Sequence, residues 1–574
     1  MLFKNAPLLF LILISFFTRF LFLDNLPEGF HRDEVAFGYN AYSIAKTARD
    51  EFGKFLPLIF ESYGDYKLPL VIYTAVPTTL LFGLNDFWVR FPTALFGALT
   101  PIFLFFFIGN ISKNKTLAYF SAFSLAISPQ HILFSRSVNE AVIALSFLLL
   151  GLLLVMRLVK KWSSFILFGA GLLLTLSVYT YRTYFIFTPL IIGLFLFLYK
   201  ETWKRWNKFK KYLSVVAILI FLLSLFYIIG KASNTRIRDI GLQTSGELVQ
   251  TLAEQIREDG VQNPLITRIF HNKLSGVLIL FAKNYFSHFD PTYLFFTGDK
   301  LSTNNSTPFM GHLLYIDLPF FLLGAILLIK KRGRLPALAF FWLALGPLSS
   351  AATVDSPSAL RNLVSTAAYA MIIGFGIMQF LSFRKFRNFK PIVVSLLILL
   401  YAANFTYFVH LFTVHKRIHQ PWSRDYGVSQ MIDSVNKNSS GFDKIIFTDY
   451  PDLYMFLLYD EKVDPHILQS LIKDKKFDRR RQELVHLINN KYWIMSEDCL
   501  YDGVKEYLYI CKGQRISPKS KIIDSIRYTD SLPAFTLVHF PQGYDRIDLE
   551  ESLPPRYEHI KSGDSGSAVF TPSL

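Results

Sequence analysis

Two carboxylates and one lysine near the start of the chain have the residue types that proton transfer and phosphate binding require. Asp33 and Glu34 follow the first apolar segment, and Lys67 lies in the motif Gly64-Asp65-Tyr66-Lys67-Leu68-Pro69. A positioned carboxylate can take a proton from an attacking hydroxyl, and an ammonium group can bind a phosphate. Because neighbouring side chains diverge from one another, we expect only one of Asp33 and Glu34 to face an active site.

Each of these residues also has a purely structural interpretation, and the local pattern leaves both open. Asp33 has the type and position of an N-cap for the amphipathic helix that follows it. Lys67 could be a lysine whose ammonium only reaches the membrane surface. Asp65 could pair with Lys67 or serve as an oxygen ligand for a divalent cation.

The elements that must hold these residues are predicted to be transmembrane helices. The chain has 574 residues, of which 52% are hydrophobic, and it contains 58 Phe. The stretch 68–83 is short and contains two prolines, so we interpret it as a re-entrant or interfacial hairpin. We predict about eleven spans, at residues 6–23, 86–108, 117–134, 139–156, 164–180, 183–199, 212–230, 312–329, 336–354, 362–381 and 391–411.

The basic residues predict the orientation of these spans. The formal net charge is +17, and Lys and Arg are concentrated in short connections that fall on one side of the membrane when 68–83 is not counted as a span. The positive-inside rule then places the N-terminus in the cytoplasm and the C-terminal part outside, with the chain in the plasma membrane as a multi-pass protein. Since no nucleic-acid-binding motif accompanies the charge, nucleic acid is not an expected partner.

Three long segments then lie on the external face, at 24–85, 231–311 and 412–574. Residues 1–411 are predicted to form an all-α polytopic membrane bundle, in which 24–85 carries the catalytic residues and 231–311 covers the pocket. Residues 412–574 are predicted to form a small α/β extracytoplasmic domain, with β-like runs at 444–448, 492–495, 507–510 and 534–539 and a helical stretch at 452–458. The compartment permits a disulfide between Cys499 and Cys511, and the sequence leaves the pairing open.

Three isolated arginines lie at predicted external span ends, where basic residues are uncommon. Arg136, Arg182 and Arg361 therefore call for an anionic partner such as a phosphate or a carboxylate. Arg136 could form a structural ion pair with Glu140. Arg361 has only Asp355 as a nearby acid, which makes it the better phosphate candidate.

An aromatic-rich loop at 284–299 lies on the same predicted side. His288 and Asp290 within it suit a sugar-binding or acceptor-facing surface, although an interfacial aromatic belt has a similar composition. His288 could ligate a metal, and a structural histidine is the alternative.

In these motifs the chain resembles the polyprenyl-phosphate-dependent glycosyltransferases of the GT-C fold. The similarity is to dolichyl-phosphate-mannose protein mannosyltransferases and to their bacterial relatives, including the lipid A aminoarabinose transferase. It covers the chain from about residue 10 to about residue 425, and the C-terminal domain only by position. The matching residues are His31-Arg32-Asp33-Glu34, Asn40-Ala41-Tyr42-Ser43, Gly64-Asp65-Tyr66-Lys67-Leu68-Pro69, Phe82-Gly83-Leu84, Val89-Arg90-Phe91-Pro92, Ser128-Pro129, Ser135-Arg136, Glu140 and the loop 284–299.

The resemblance implies an inverting transfer of a sugar from a polyprenyl-phosphate carrier to an acceptor hydroxyl on the external face. Asp33 matches the general base, and Lys67 matches the lysine that contacts the carrier phosphate. The candidate catalytic residues are Asp33 and Glu34; the candidates for binding the donor phosphate are Lys67, Arg136, Arg182 and Arg361; and the candidates for binding substrate are Asp65, Tyr66, Glu140, His288 and Asp290.

The expectation for a metal is weaker. The aminoarabinose transferase has an acidic metal ligand immediately before the matching lysine, whereas this chain has Tyr66 there and Asp65 one place earlier. No cofactor is therefore assigned, and a divalent metal at Asp65 or His288 stays open.

Two other classes of function compete with this interpretation. A transporter or flippase of lipid-linked sugars would favour ionisable groups near the bilayer midplane and related halves, and neither is evident in the sequence. A sensory or scaffolding protein would use the C-terminal domain but would leave Asp33 and Lys67 without a role. The expected partners are a polyprenyl-phosphate sugar donor, membrane lipids, and a protein, lipid or glycan acceptor.

Overall fold

Helices account for most of the residues that the computed structural model of this chain describes. The chain divides into two compact units, one containing Met1–Tyr426 and Met455–Arg480, the other Gly427–Tyr454 and Arg481–Leu574. Gly64, parts of the predicted external segment 231–311, and the C-terminus from residue 545 lie outside the described residues. The structure describes residues 2–63, 65–232, 241–242, 245–260, 264–384, 388–419, 421–448, 450, 452–472, 485, 488–495, 499, 502–513 and 515–544.

The first unit is predominantly helical, as expected of a multi-pass membrane protein. Among the described residues, five helices are long and apolar enough to cross a membrane, or six if one bent pair forms a single span. In chain order the α-helices up to residue 418 are α1 (Leu2–Phe20), α2 (Arg32–Thr47), α3 (Leu70–Phe82), α4 (Asp86–Ser112), α5 (Lys115–Ala126), α6 (Pro129–Ser135), α7 (Glu140–Lys160), α8 (Ser164–Thr180), α9 (Tyr184–Leu198), α10 (Lys200–Arg205), α11 (Lys208–Ala232), α12 (Gly246–Asp259), α13 (Pro264–Phe270), α14 (Lys273–Ser287), α15 (Asp317–Ile329), α16 (Arg334–Leu345), α17 (Leu348–Ala351), α18 (Thr366–Leu381), α19 (Lys390–His410) and α20 (Lys416–Ile418).

Every predicted span contains a helix, but proline and glycine break two of them. The predicted span 117–134 is divided into α5 and α6, which are bent by 59° at the break. Pro129 is the first residue of α6, and Ser128 caps it by accepting a hydrogen bond from the amide of His131. The helix ends before this proline because proline disfavours helical geometry in the residue preceding it. In the predicted span 336–354, Gly346 and Pro347 separate α16 from α17.

The stretch 68–83 is a single helix, so the prediction of a hairpin was wrong. Pro69 precedes α3 and Pro77 lies inside it. Pro77 removes one backbone donor, yet the helix continues, and the Thr79 hydroxyl donates to the Ala75 carbonyl at 3.0 Å. Because α3 packs against both α2 and α4, tertiary contacts offset the local cost of the proline.

Close helix crossings organise the apolar core of this unit. Gly324 on α15 and Gly376 on α18 face each other so closely that a Cβ at Gly324 would lie 2.1 Å from the carbonyl oxygen of Ile372. Small residues allow this approach between backbones, as in other membrane helix pairs. On α4 and α7, the hydroxyls of Thr100 and Ser146 are hydrogen-bonded at 2.5 Å within the core.

A short antiparallel hairpin follows α2 in the first unit. It pairs β1 (Phe60–Ser62) with β2 (Asp65–Lys67), and Phe60 is opposite Lys67. This hairpin leads directly into α3, so Lys67 lies at the junction of a strand and a helix.

The second unit contains a five-stranded sheet. Its strands are β3 (Lys444–Thr448), β4 (Tyr492–Met495), β5 (Tyr507–Lys512), β6 (Lys521–Arg527) and β7 (Pro533–His539). They are arranged in the order β4-β3-β5-β7-β6. Strands β4, β3 and β5 are parallel, whereas β7 is antiparallel to β5 and β6. Cys499 and Cys511 form a disulfide, which decides the pairing that the sequence leaves open. The remaining helices are α21 (Val428–Asn438), α22 (Leu453–Asp460) and α23 (Pro465–Ile472). Of these, α23 belongs to the first unit.

Candidate functional site

The first turn of α2 holds the carboxylate of Asp33. The helix is capped by His31, whose Nδ1 accepts a hydrogen bond from the amide of Asp33 at 3.3 Å. In return, the amide of His31 donates to Glu34 Oε2 at 3.1 Å, which completes a capping box. The N-cap interpretation of Asp33 is therefore excluded. Its side chain is 46% exposed and is directed toward a different partner.

That partner is Lys67, at the end of β2. The Nζ of Lys67 donates to Oδ1 of Asp33 at 2.5 Å. The lysine side chain is only 7% exposed, and its ammonium lies 5.0 Å from the ring centroid of Phe37. Since Phe37 is one turn beyond Asp33, α2 supplies both the carboxylate and the aromatic ring that hold the ammonium.

The charge state of Asp33 follows from these neighbours. The surrounding protein desolvates the carboxylate and raises the pKa of Asp33, but the ammonium of Lys67, through its charge and its hydrogen bond, outweighs this effect. The pKa of Asp33 is therefore held well below its usual range, and the group is ionised in this arrangement. An ionised carboxylate can accept a proton, although its basicity is low while the lysine remains in contact.

Glu34, the neighbouring carboxylate, is turned into the protein and is only 2% exposed. Its Oε1 accepts hydrogen bonds from Arg90 Nε at 3.0 Å and from the amide of Val138 at 2.9 Å. Its Oε2 accepts from Arg90 Nη2 at 3.2 Å and also from Arg424. Burial raises the pKa of Glu34, whereas Arg424 and Arg90 lower it, and the result is a pKa of about 2.

The contacts give Glu34 a structural position, and a catalytic role for it stays a prediction. Both of its oxygens are directed at protein donors, so the side chain anchors the start of α2 instead of facing a substrate. The expectation that only one of the adjacent carboxylates faces outward agrees with this geometry.

Two arginines for which the sequence predicted no role complete the anchor. Arg90 on α4 also donates to the carbonyls of Pro27 and Gly29, at 3.2 and 2.6 Å. Gly29 has a φ of +76°, and a Cβ there would lie 2.3 Å from the carbonyl oxygen of Arg424. Only glycine permits this approach. A charged residue inside an apolar helix was the available signal for Arg90, but its partner Glu34 is 56 residues away.

Arg136 binds backbone carbonyls in the structure, and its role at the donor phosphate stays a prediction. Its guanidinium donates to the carbonyls of Thr18 at 2.9 Å, Leu21 at 2.6 Å, Phe22 at 3.0 Å and Leu26 at 3.1 Å. These carbonyls lie at and beyond the C-terminal end of α1, which is the negative end of a helix dipole. Neutral carbonyl oxygens therefore hold the guanidinium of Arg136 in the structure, and an anionic partner stays a prediction.

Backbone contacts bring the segments of Arg182 and Arg361 toward Lys67. Nη2 of Arg182 donates to the carbonyl of Tyr66 at 2.5 Å, next to Lys67 in the chain. The hydroxyl of Thr183 donates to the carbonyl of Arg361 at 3.3 Å. Arg361 itself forms a two-pronged ion pair with Asp355, with contacts of 2.8 and 2.9 Å. Three arginine- or lysine-bearing segments far apart in sequence thus converge.

Asp65 and Glu140 have local structural positions. Oδ1 of Asp65 accepts from the amide of Tyr66 at 2.8 Å in the hairpin. Glu140 is the first residue of α7, directly after the N-cap Asn139.

His288 and Asp290 lie in the loop after α14. Oδ1 of Asp290 accepts from the amide of Thr292 at 2.7 Å, at the start of a π-helix, Thr292–Thr297. Nδ1 of His288 lies 2.8 Å from the carbonyl of Asn284, and burial lowers the pKa of His288 to about 4. Within the described part of the chain, no hydrogen bond or ion pair joins either residue to Asp33 or Lys67.

The described residues also contain no group of three or more His, Cys, Asp or Glu side chains arranged to hold a metal ion. A metal at Asp65 or His288 stays a prediction.

Comparison with known families supports the resemblance seen in the motifs. Residues 67–228 match the model of the dolichyl-phosphate-mannose-protein mannosyltransferase family. The match begins at Lys67 and includes the segments of Arg136 and Arg182, and it confirms the resemblance over this part of the chain. No curated protein matches the sequence significantly.

Several solved structures match this chain, among them those of AglB and ArnT. The archaeal oligosaccharyltransferase AglB from Archaeoglobus fulgidus, in complex with an inhibitory peptide and a dolichol-phosphate, is 14% identical, with a TM-score of 0.48 over 81% of this chain and 64% of its own. ArnT from Cupriavidus metallidurans in the apo state is 10% identical, with a TM-score of 0.39 over 93% of this chain and 98% of its own. The chain thus spans about 64% of the length of AglB.

Proposed function

We propose that this chain is an inverting glycosyltransferase that moves a sugar from a polyprenyl-phosphate carrier to an acceptor hydroxyl on the external membrane face. The observation that carries the proposal is the ion pair of Asp33 with Lys67, which places a proton acceptor 2.5 Å from a cation suited to phosphate. The family match over residues 67–228 supports a lipid-phosphate-linked sugar as the class of donor.

Donor binding would change the partner of Lys67. In the structure its ammonium neutralises Asp33, whereas a carrier phosphate offers several strong acceptor oxygens to the same ammonium. When Lys67 turns toward the phosphate, Asp33 loses its closest positive charge and its pKa rises. The carboxylate becomes a stronger base once the donor has arrived.

The chemical step is a single displacement at the anomeric carbon. The acceptor oxygen forms a bond to this carbon on the face opposite the phosphate, and its proton passes to Asp33. The bond from the anomeric carbon to the phosphate oxygen breaks, and the leaving polyprenyl phosphate keeps the electron pair. Lys67 stabilises the negative charge that develops on the phosphate, and the nearby segment of Arg182 can add to this effect. One displacement inverts the configuration at the anomeric carbon.

Glu34 would act as a positioning residue in this reaction. It fixes the first turn of α2 through Arg90 and the amide of Val138. A carboxylate held on a rigid element retains its orientation toward the acceptor, which is a requirement for efficient proton transfer.

The test is sugar transfer by the purified full-length chain in lipid nanodiscs. Polyprenyl-phosphate mannose and polyprenyl-phosphate aminoarabinose serve as donor probes, with membrane lipids and peptides as acceptors, and mass spectrometry detects free polyprenyl phosphate and the glycosylated acceptor. We expect both products from at least one donor. Movement of intact donor across the bilayer of a proteoliposome, with no cleavage of the sugar, would instead identify a flippase.

A further inference from the structure

An apolar groove lies between α7, α8, α9 and α11, and none of the residues assigned to the proposed function lines it. The groove has an empty volume of about 750 Å³, and Leu152, Leu174, Phe195 and Phe221 are among its lining residues. This volume includes space that is open to the surroundings of the groove, and the lining is almost entirely apolar. An apolar lining of this kind suits a hydrocarbon chain.

The groove is remote from Asp33 and Lys67. The amide of Val138, just before α7, donates to Glu34 at 2.9 Å, so the N-terminal end of α7 lies at the candidate site. Leu152, in the C-terminal half of α7, lines the groove, and the helical rise places it about 18 Å along the axis from Glu140. The groove thus lies beside the half of α7 that is farther from the candidate site.

Basic residues lie at this end of α7 and on α10 and α11. α7 ends with Arg157 and Lys160 in its last turn, and α10 carries Lys204 and Arg205 in its last turn. α11 then begins at Lys208. Charges concentrated at the end of apolar helices attract anionic lipid headgroups.

Aromatic residues occupy the boundary between the apolar lining and the basic residues. Trp203 and Trp206 line the groove, and their rings are stacked with centroids 5.0 Å apart. Nearby, the ammonium of Lys210 lies 5.6 Å from the ring centroid of Trp162. Tryptophan beside lysine at the ends of apolar helices is typical of the headgroup region of a membrane.

Two buried polar atoms in this region have no hydrogen-bond partner among the described residues. They are Oγ of Ser214, which belongs to a groove-lining residue, and Nε1 of Trp162. Both atoms can donate a hydrogen bond, and the ester and phosphate oxygens of a lipid are acceptors. A lipid oxygen could therefore accept a hydrogen bond from each of these two groups.

We propose that this groove binds an anionic phospholipid, with an acyl chain along the apolar lining and the phosphate among the basic residues. The concentration of positive charge argues for an anionic headgroup over a zwitterionic one. The site is independent of the proposed sugar transfer, because it uses other residues at the other end of α7.

The experiment compares lipids retained by the purified full-length chain in native mass spectrometry. Phosphatidylglycerol, phosphatidylcholine with the same acyl chains, and undecaprenyl phosphate are added separately and in competition. We expect preferential retention of phosphatidylglycerol. Equal retention of the two phospholipids, or displacement of phosphatidylglycerol from the groove by undecaprenyl phosphate, would overturn the proposal.

Variants locate the bound lipid. Gly171 lines the groove, and a Cβ at this position meets no atom within 4 Å, so Gly171→Phe should fill the groove without disturbing the fold. Gly193 on α9 also has open space at its Cβ but does not line the groove, which makes Gly193→Phe the control. We expect loss of phosphatidylglycerol only in Gly171→Phe. Unchanged retention in this variant would contradict the assigned position.

The charge contribution is tested at the rim. Arg205→Gln should weaken phosphatidylglycerol binding about fivefold, the fold-change that corresponds to ~1 kcal/mol for one basic residue near an anionic headgroup. Lys115→Gln, at the start of α5, is the matched control and should leave binding unchanged. Equal effects of the two substitutions would show that the lipid responds only to overall charge and would refute a site at the groove.

Discussion

The ammonium of Lys67 can bind two kinds of anion, the carboxylate of Asp33 and, in the proposed reaction, the phosphate of a donor. In the structure it contacts Asp33 at 2.5 Å and is almost fully buried. A buried ammonium needs an anion nearby, because an unpaired charge in the interior is costly. The same requirement that holds the ion pair together in the free protein makes Lys67 a receptor for phosphate when the donor is present.

Replacing Lys67 with glutamine should weaken donor binding. Loss of a charge-assisted hydrogen bond of about 1.5–3 kcal/mol corresponds to roughly 10- to 100-fold in Kd. Titration of the purified protein with a fluorescent polyprenyl phosphate measures this change. Lys54→Gln is the control, because Lys54 belongs to the same connection between α2 and α3 and pairs with Glu61. Unchanged affinity in Lys67→Gln would remove the lysine from the phosphate site.

The same substitution should change the pH dependence of the reaction. Lys67 lowers the pKa of Asp33, so without the lysine this pKa rises, and Asp33 becomes protonated at a higher pH. The acidic limb of kcat/KM, which reports the free enzyme, should therefore move to higher pH in Lys67→Gln than in the unmodified chain. An acidic limb at the same pH in both proteins would show that the ion pair does not set the basicity of the catalytic group.

At the scale of elements, two buried glutamates near α2 differ in charge: one is ionised and the other is expected to be neutral. Glu34, inside the helix, is ionised and bound by two arginines. Glu51, beyond the end of the helix, accepts a hydrogen bond from Asn40 Nδ2 at 3.2 Å. Burial and the nearby charge of Asp50 raise the pKa of Glu51 well above its ordinary value. Glu51 is therefore expected to be neutral, although both side chains are equally inaccessible to water.

Substitution by glutamine should destabilise the protein at Glu34 much more than at Glu51. Glu34→Gln leaves the guanidinium groups of Arg90 and Arg424 buried beside a neutral amide, and we expect a loss of roughly 3–5 kcal/mol in the free energy of unfolding. Glu51→Gln replaces a neutral acid by an amide of the same shape, so a change below about 1 kcal/mol is expected. Thermal unfolding in detergent compares the two. Equal destabilisation would contradict the assigned charge states.

The pH dependence of stability has a definite sign at Glu34. Its folded-state pKa of about 2 is below its ordinary value of 4.5. The contribution of Glu34 is therefore fully present above pH 4.5 and is lost as the pH falls toward 2. Glu34→Gln should abolish this part of the acid dependence.

Hydropathy locates the apolar helices of this chain, because each predicted span contains a helix whose backbone bonds are satisfied internally. Only five of the described helices, or six with one bent pair, are long and apolar enough to cross a membrane. Hydropathy and local sequence do not predict the structure where tertiary packing determines it. Pro69 and Pro77 suggest a hairpin, but α3 is stabilised by α2 and α4. β6 is missed because much of this edge strand is exposed, so its apolar alternation is weak.

The candidate site is predictable in residue type but not in pairing. The sequence and its family resemblance identify Asp33 and Lys67, yet their contact joins residues 34 positions apart. The contact of Arg424 with Glu34 is even harder to predict, because the two residues are 390 positions apart. Such contacts depend on how helices cross, which a local pattern does not encode. For Arg136 the residue type suggested that it binds phosphate. In the structure its guanidinium instead donates to backbone carbonyls at the end of α1.

At the scale of the whole molecule, orientation in the membrane decides which compartment the site faces. The basic connections predict that α10 lies on the cytoplasmic side and that α12 lies outside. The chain's own cysteines, Cys499 and Cys511, are joined in a disulfide and do not react with maleimide. Cysteines introduced elsewhere therefore report topology without removing native residues.

We expect Glu247→Cys on α12 to react with a membrane-impermeant maleimide in intact cells. Lys204→Cys on α10 should react only after the cells are permeabilised. Both positions are exposed in the structure, so a difference in labelling reflects the membrane and not the fold. The reverse pattern would place Asp33 and Lys67 in the cytoplasm and would exclude transfer on the external face.

The central claim is that Asp33 takes the proton of the acceptor, and Asp33→Asn tests it when donor binding and sugar transfer are measured on one preparation. An amide cannot accept this proton, so transfer should fall by about a hundred- to ten-thousand-fold. Donor binding should be retained or become tighter, because Lys67 no longer pairs with a carboxylate. Asp433→Asn, at an exposed position of α21, should change neither quantity. Undiminished transfer by Asp33→Asn would contradict the account.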